Sequence, residues 1–139
     1  MKKILHFVSL LLCGLASATL SAPAQTAAPP QMSNYQALSD QQLNQLLGPI
    51  ALYPDPLIAV ILPAATLPTQ IVLADRYVEG GGDTNQIEQQ PWDPSIQALA
   101  HYPALLKWMD DNLNWTTTLG DAFLNQQDDV MDAVQRLRA

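Results

Sequence analysis

The residues with the most chemical reach in this chain are aromatic: Trp92, Trp108 and Trp115, with Tyr53, Tyr77 and Tyr102, in a sequence of which only 14% is charged. Rigid aromatics contribute large contact areas at binding faces. They also staple helix starts to a core. Two of them stand just upstream of an Asp-Pro pair, Tyr53 before Asp55-Pro56 and Trp92 before Asp93-Pro94. Trp92, Asp93, Tyr53 and Asp55 are therefore the candidate binding residues. Tyr53 reads as packed beside buried Leu52 and Leu57, and Trp92, after the polar stretch from Asn85 to Gln90, as partly exposed.

Catalytic patterns are scarce. The only glutamates, Glu79 and Glu88, flank Gly80-Gly81-Gly82, and glycan hydrolysis would need one carboxyl that holds its proton and another across the scissile bond. Both glutamates read as solvent-exposed, where water removes the reason for a carboxyl to hold a proton. Beyond the first two dozen residues the chain has one histidine, His101, and no cysteine, so the donors for a metal site are missing. Asp128, Asp129 and Asp132 lie on a helical pattern rather than in a D-x-D-x-D-G calcium loop. Ser33, Ser39 and Ser95 lack a G-x-S-x-G setting. The three glycines follow no strand and precede no GK[ST], so they read as a hinge and not as a phosphate cradle. No catalytic residue, metal or cofactor is implied.

The elements that must carry these residues read as helices. Tyr53-Pro54-Asp55-Pro56-Leu57-Ile58-Ala59 and Trp92-Asp93-Pro94-Ser95-Ile96-Gln97-Ala98 each spell a start, with Asp as cap and Pro in the first turn. Ser39 caps a first helix with Leu43, Leu46 and Leu47 at helical spacing. Leu57 to Ala65 is apolar nearly all round and reads as the central helix, bent or ended by Pro63. Pro68 opens a helix that the glycines end, and Pro103 opens another. Asn114 would cap the last and longest, with Leu119, Phe123, Val130, Ala133, Val134 and Leu137 near one face. No alternating, β-branched run argues for a sheet. The expected fold is all-α, a compact orthogonal bundle of short helices with a long C-terminal helix.

The N-terminus sets the expected compartment. Lys2 and Lys3 precede an apolar run from Ile4 to Leu15, followed by small residues with A-x-A sites at Ala16-Ser17-Ala18 and Ala22-Pro23-Ala24. That order describes a secretory signal, too short to span a bilayer. Residues 1–24 are read as the signal, 25–37 as a flexible spacer around Pro29-Pro30, and 38–139 as one helical domain. Cys13 leaves with the signal; Leu12 before it argues against lipidation. Loss of Lys2 and Lys3 takes the basic residues from 6 to 4 against 13 acidic ones, a formal charge of −9. An acidic, periplasmic or secreted domain has no electrostatic footing for nucleic acid or an anionic membrane surface.

The run Leu46-Leu47-Gly48-Pro49-Ile50-Ala51-Leu52-Tyr53-Pro54-Asp55-Pro56-Leu57-Ile58-Ala59 resembles the opening of a secreted bacterial family catalogued as domain of unknown function 3300. Gln89-Gln90-Pro91-Trp92-Asp93-Pro94-Ser95, Leu119 to Leu124 and Asp129 to Arg138 are similar to later parts of it, in the same order. The resemblance covers about residues 38–138 and implies export and a helical domain, with no activity or ligand to carry over. Members of that family often continue into a Tyr/Pro/Asn-rich segment absent from this chain; a function residing there would leave this chain a scaffold or competitor. Residues and resemblance together point to an exported, non-enzymatic helical module that binds an envelope or secreted protein or glycan. The alternatives are a glycan-active hydrolase using Glu79 or Glu88, and a purely structural assembly domain.

Overall fold

In a computed structural model, residues 34–139 are described. The expected signal of residues 1–24, Cys13 and most of the expected spacer of residues 25–37 lie outside the described residues. Helices account for most of the described residues, and no strand occurs among them. In chain order they are α1 (Asp40–Leu47), α2 (Asp55–Ala65), α3 (Pro68–Glu79), a 3-10 turn (Thr84–Gln89), α4 (Pro94–Ala100), α5 (Pro103–Asp111), α6 (Leu113–Asn125) and α7 (Gln127–Arg138). The expected all-α bundle of short helices is what forms.

Local chemistry explains most of the starts and stops. Ser39 and Gln42 close a capping box on α1. Proline occupies the first turn of α2, α3, α4 and α5, where its missing N–H removes no helical bond. Pro63 sits in the last turn of α2; the chain then bends by 112° into α3, and Thr66 donates to the Pro63 carbonyl through both its N–H, at 3.1 Å, and its Oγ1, at 2.6 Å. After α3 the chain turns through Gly81, whose φ of +79° only glycine adopts without strain.

The apolar face of each helix meets in one core. Ile58, Ile61, Leu62, Ala64 and Ala65 of α2 are buried against α4, α6 and α3, so α2 holds the central place expected of it. Ile87 of the 3-10 turn, within a stretch that reads as polar loop, is fully buried. At the crossing of α2 and α6, Gly120 lies against backbone. A Cβ on it would come within 2.7 Å of the Ala65 carbonyl carbon and 2.9 Å of Thr66 Cα.

The single long C-terminal helix does not form. The chain breaks at Gln126 (φ −145°, ψ 53°) into α6 and α7, and Asn114 lies inside α6 rather than capping it. The physical reason is the Gln126 side chain. Its Oε1 accepts from Leu38 N at 2.7 Å and Tyr35 Oη at 2.6 Å, while Nε2 donates to Leu38 O at 3.1 Å and Asp129 Oδ2 at 3.2 Å. A buried amide satisfied on four sides holds the N-terminal segment to the domain and fixes the break. Leu52 departs from expectation too: it is 86% exposed rather than buried.

The crossing yields a prediction. Gly120→Ala must push α6 off the Ala65 carbonyl, and should destabilise the domain by about 3 kcal/mol, at the upper end for an overpacked site. Denaturant midpoints of the two proteins measure this, and an unchanged midpoint would show that the helices separate freely.

Candidate functional site

The loop from α1 to α2 leaves α1 through exposed Gly48 and Pro49, dips into the protein at buried Ile50 and Ala51, and emerges at Leu52, Tyr53 and Pro54. One side chain holds that loop from the far end of the chain. Arg138 donates through Nε to Ala51 O at 2.7 Å and through its two Nη groups to Tyr53 O and Asp55 Oδ1. A planar guanidinium matches such a fork of acceptors. Asp55 is therefore an ion-pair partner and not the cap expected of it; the N-cap residue of α2 is Pro54, with no side-chain bond. The chain approaches α2 with Pro54 where a capping side chain would sit, so the carboxylate falls one position late.

Because Arg138 takes the loop's backbone, the Tyr53 ring is left outside, 38% exposed. This corrects the packed position expected for it beside buried leucines: Leu52 is itself 86% exposed and Leu57 half-buried. Tyr53 borders a cleft of about 350 Å³ shared with Leu57, His101, Tyr102, Pro103 and Leu105. On its other side a smaller hollow of about 210 Å³ is bounded by Pro49, Ile50 and Trp108. Tyr102 is 49% exposed, and its carbonyl accepts from Leu105 N and Leu106 N at the start of α5. Tyr102 escapes a reading of Asp-Pro pairs, yet a signal existed. Tyr53-Pro54 and Tyr102-Pro103 repeat one dipeptide at two helix starts.

Trp92 and Asp93 have different neighbours. The half-buried Trp92 ring meets Tyr77 edge-on, centroids 5.4 Å apart at 81°, and Tyr77 in turn lies over Gly82, where any side chain would enter the ring. Asp93 is the expected cap: Oδ1 accepts from Ser95 N at 2.9 Å and Ser95 Oγ at 2.6 Å. Those Ser95 bonds hold its carboxyl below the ordinary value. Its own N–H donates to Gln70 Oε1 on α3 at 2.7 Å. Trp108 and Trp115 pair at 4.6 Å, and Trp115 Nε1 donates to Leu46 O at 2.8 Å. The tryptophans are thus built into the fold, while Tyr53 and Tyr102 are displayed.

Among the carboxylates, Glu79 is exposed and paired with Lys107 at 2.9 Å, and Glu88 is exposed. The acid that sequence reasoning missed is Asp75, 2% exposed between α3 and α5. Burial raises its pKa, helped by the negative charges of Glu79, Asp110 and Asp111 and opposed by Lys107. The nearby Asp110 Oδ1 is buried with no hydrogen-bond partner among the described residues. Asp75 had a signal in its spacing, four residues after Ile71 and three before Val78 on the inner face of α3. The cavity at the α5–α6 turn reaches Asp110 and Asp111 but not Asp75. No group of three or more His, Cys, Asp or Glu among the described residues is arranged to hold a metal ion.

The sequence from 39 to 139 matches the family model described as protein of unknown function (DUF3300). The chain belongs to the DUF3300 family. It is 39% identical over 130 residues to the uncharacterized protein YacH of Escherichia coli strain K12, covering 88% of this chain and 21% of YacH. No solved structure matches. For this DUF3300 chain the helical domain described above and the matched region coincide.

Two predictions follow from the carboxylates. Asp93→Ala should cost about 1 kcal/mol through loss of its cap, whereas Asp55→Ala, which breaks an exposed pair, should cost roughly 0–1 kcal/mol; urea midpoints compare them. For Asp75 the folded state binds its proton more tightly than the unfolded chain does. The penalty is absent below the ordinary value of 3.8, grows as pH rises through the raised folded value and stays constant above it. Asp75→Asn should therefore raise the melting temperature at about pH 7 and change it little near pH 3. Equal shifts at both pH values would mean that Asp75 titrates as an ordinary surface acid.

Proposed function

We propose that this DUF3300 domain is an exported, non-catalytic recognition module that binds an envelope or secreted macromolecule through the Tyr53–Tyr102 cleft. The observation that carries the reading is the division of aromatics. Trp92, Trp108 and Trp115 complete the fold, whereas Tyr53 and Tyr102 stand 38% and 49% exposed around an open cleft. Half-exposed rings of this kind supply rigid contact area to a partner. Export rests on the charge, apolar core and small-residue order of residues 1–24. The acidic balance favours a protein or glycan partner over nucleic acid. A relative in which the matching stretch makes up 21% of the length suits a module that works beside other segments. Hydrolysis by Glu79 or Glu88 is less well supported, because Glu79 is engaged with Lys107 and the raised carboxyl, Asp75, is closed off from solvent.

The test joins location and binding. Protein recovered outside the cytoplasm should begin near Gln25 by N-terminal sequencing. Tyr53→Ala and Tyr102→Ala should melt within a few degrees of the parent, yet each should lose the envelope partner captured by cross-linking the parent in cells. Full-length protein retained in the cytoplasm would overturn the export half. Folded variants that keep every cross-linked partner would overturn the cleft.

A further inference from the structure

We propose a second docking surface, distinct from the tyrosine cleft: the groove between α2 and α7, fitted to an amphipathic helix of a partner protein that carries Lys or Arg beside its apolar face. The groove holds about 420 Å³ and is walled by Ile58 and Leu62 of α2, Phe123 of α6, and Met131 and Val134 of α7. Met131 is 40% exposed, so the apolar lining is open from above. Methionine adapts its shape to varied partners. The flanking helices, 11 and 12 residues long, each extend roughly 16–18 Å at 1.5 Å per residue. An apolar groove walled by side chains of α2, α6 and α7 suits the apolar face of an amphipathic helix.

Charge selects the occupant. On α7, Asp128 and Asp132 lie about 60° and 100° round the helix from Met131, on the side away from the core. Both are exposed, and the ion pairs among the described residues leave both without a cation. Of the four described cations, Lys107, Arg136 and Arg138 are committed to Glu79 and Asp111, to Asp40 and to Asp55. The remaining one, Arg76, belongs to α3. Gln127 and Gln135 line the α7 side of the groove, and Asp55 at its α2 side is held by Arg138. Asp128 and Asp132 stand on the α7 surface beside it, so the complement of that surface is a basic flank. A second copy fits poorly, because its α7 would bring Asp128, Asp129 and Asp132 against the same charges. Residues 25–33 contain no Lys or Arg to meet these carboxylates.

The experiment uses the chain from Gln25 onward, which contains every described residue, and a dye-labelled Leu/Lys peptide of about 14 residues. Its leucines recur at i, i+3, i+4 and i+7, and its lysines fill the remaining positions. Fluorescence anisotropy should show saturable binding that weakens with added salt. A scrambled peptide of the same composition, with no apolar face, should bind about tenfold more weakly, as should the patterned peptide to Met131→Gln. The double variant Asp128→Asn, Asp132→Asn should bind less tightly and lose most of the salt dependence. Tyr53→Ala should leave the affinity within about twofold, since the cleft is a separate surface. Equal binding of the scrambled peptide would show bulk charge attraction only and overturn the groove. So would a Met131→Gln protein of parental melting temperature that binds unchanged. Loss of binding in Tyr53→Ala would move the peptide to the cleft, and a dimer in sedimentation that Met131→Gln dissociates would give the groove to a second copy.

Discussion

The contact between Gly120 of α6 and the Ala65 carbonyl of α2 sets the spacing of the whole bundle. Backbones that approach this closely leave no room for a side chain, so the two helices cannot drift apart or slide without losing that fit. With their separation fixed, Phe123, three residues beyond Gly120, falls beside Ile58 and Leu62 as a wall of the groove. In the opposite direction, Thr116 donates from the core to Met109 O at 2.8 Å and ties the turn between α5 and α6. Trp115 reaches Leu46 O on α1. One small residue thereby determines where three other helices can sit.

Three polar side chains close what that crossing leaves open. Gln126 draws the segment from Tyr35 to Leu38 onto the break between α6 and α7, and Arg136 meets Asp40 at 3.1 Å. Arg138 completes the seam by grasping the α1–α2 loop. Each bond joins residues more than 80 positions apart, so the seam forms only when the helices have already packed. The display of Tyr53 depends on it. A loop held by its carbonyls keeps its backbone fixed while its ring stays free to meet a partner, which reduces the ordering cost of binding.

Most of the fold was legible because its punctuation is local. Ser39 with Gln42, Asp93 with Ser95, and prolines at four helix starts act within one turn, and periodicity exposed their apolar faces. What escaped depends on distant partners. The apolar positions from Leu119 to Leu137 remain near one face across a one-residue break, so periodicity alone joins α6 to α7; only Leu38, 88 residues away, reveals why Gln126 interrupts them. Asp55 and Asp93 share a spelling, yet Arg138 recruits one while the other caps. Ile87 looked like part of a polar loop because a single apolar residue has no period. Of the four candidate binding residues, Tyr53 at the end of the α1–α2 loop and Asp55 at the start of α2 are both held by Arg138, and Trp92 and Asp93 pack towards α3.

The separation of tryptophan from tyrosine has a physical basis in what each ring leaves unsatisfied. Indole offers one N–H donor and a large apolar body, so it is best stabilised where a fixed carbonyl meets it, as Leu46 O meets Trp115. A phenol hydroxyl accepts and donates, and water satisfies it when no protein group does. A tyrosine at a helix start can therefore keep its ring half exposed without stranding a polar atom. Both displayed tyrosines precede a proline, Pro54 and Pro103, which disfavours the helical region for their backbone; Tyr102 stands at φ −117°, ψ 69°. The ring is carried on a stiff stem at the edge of the bundle, and surface exposure there costs little stability.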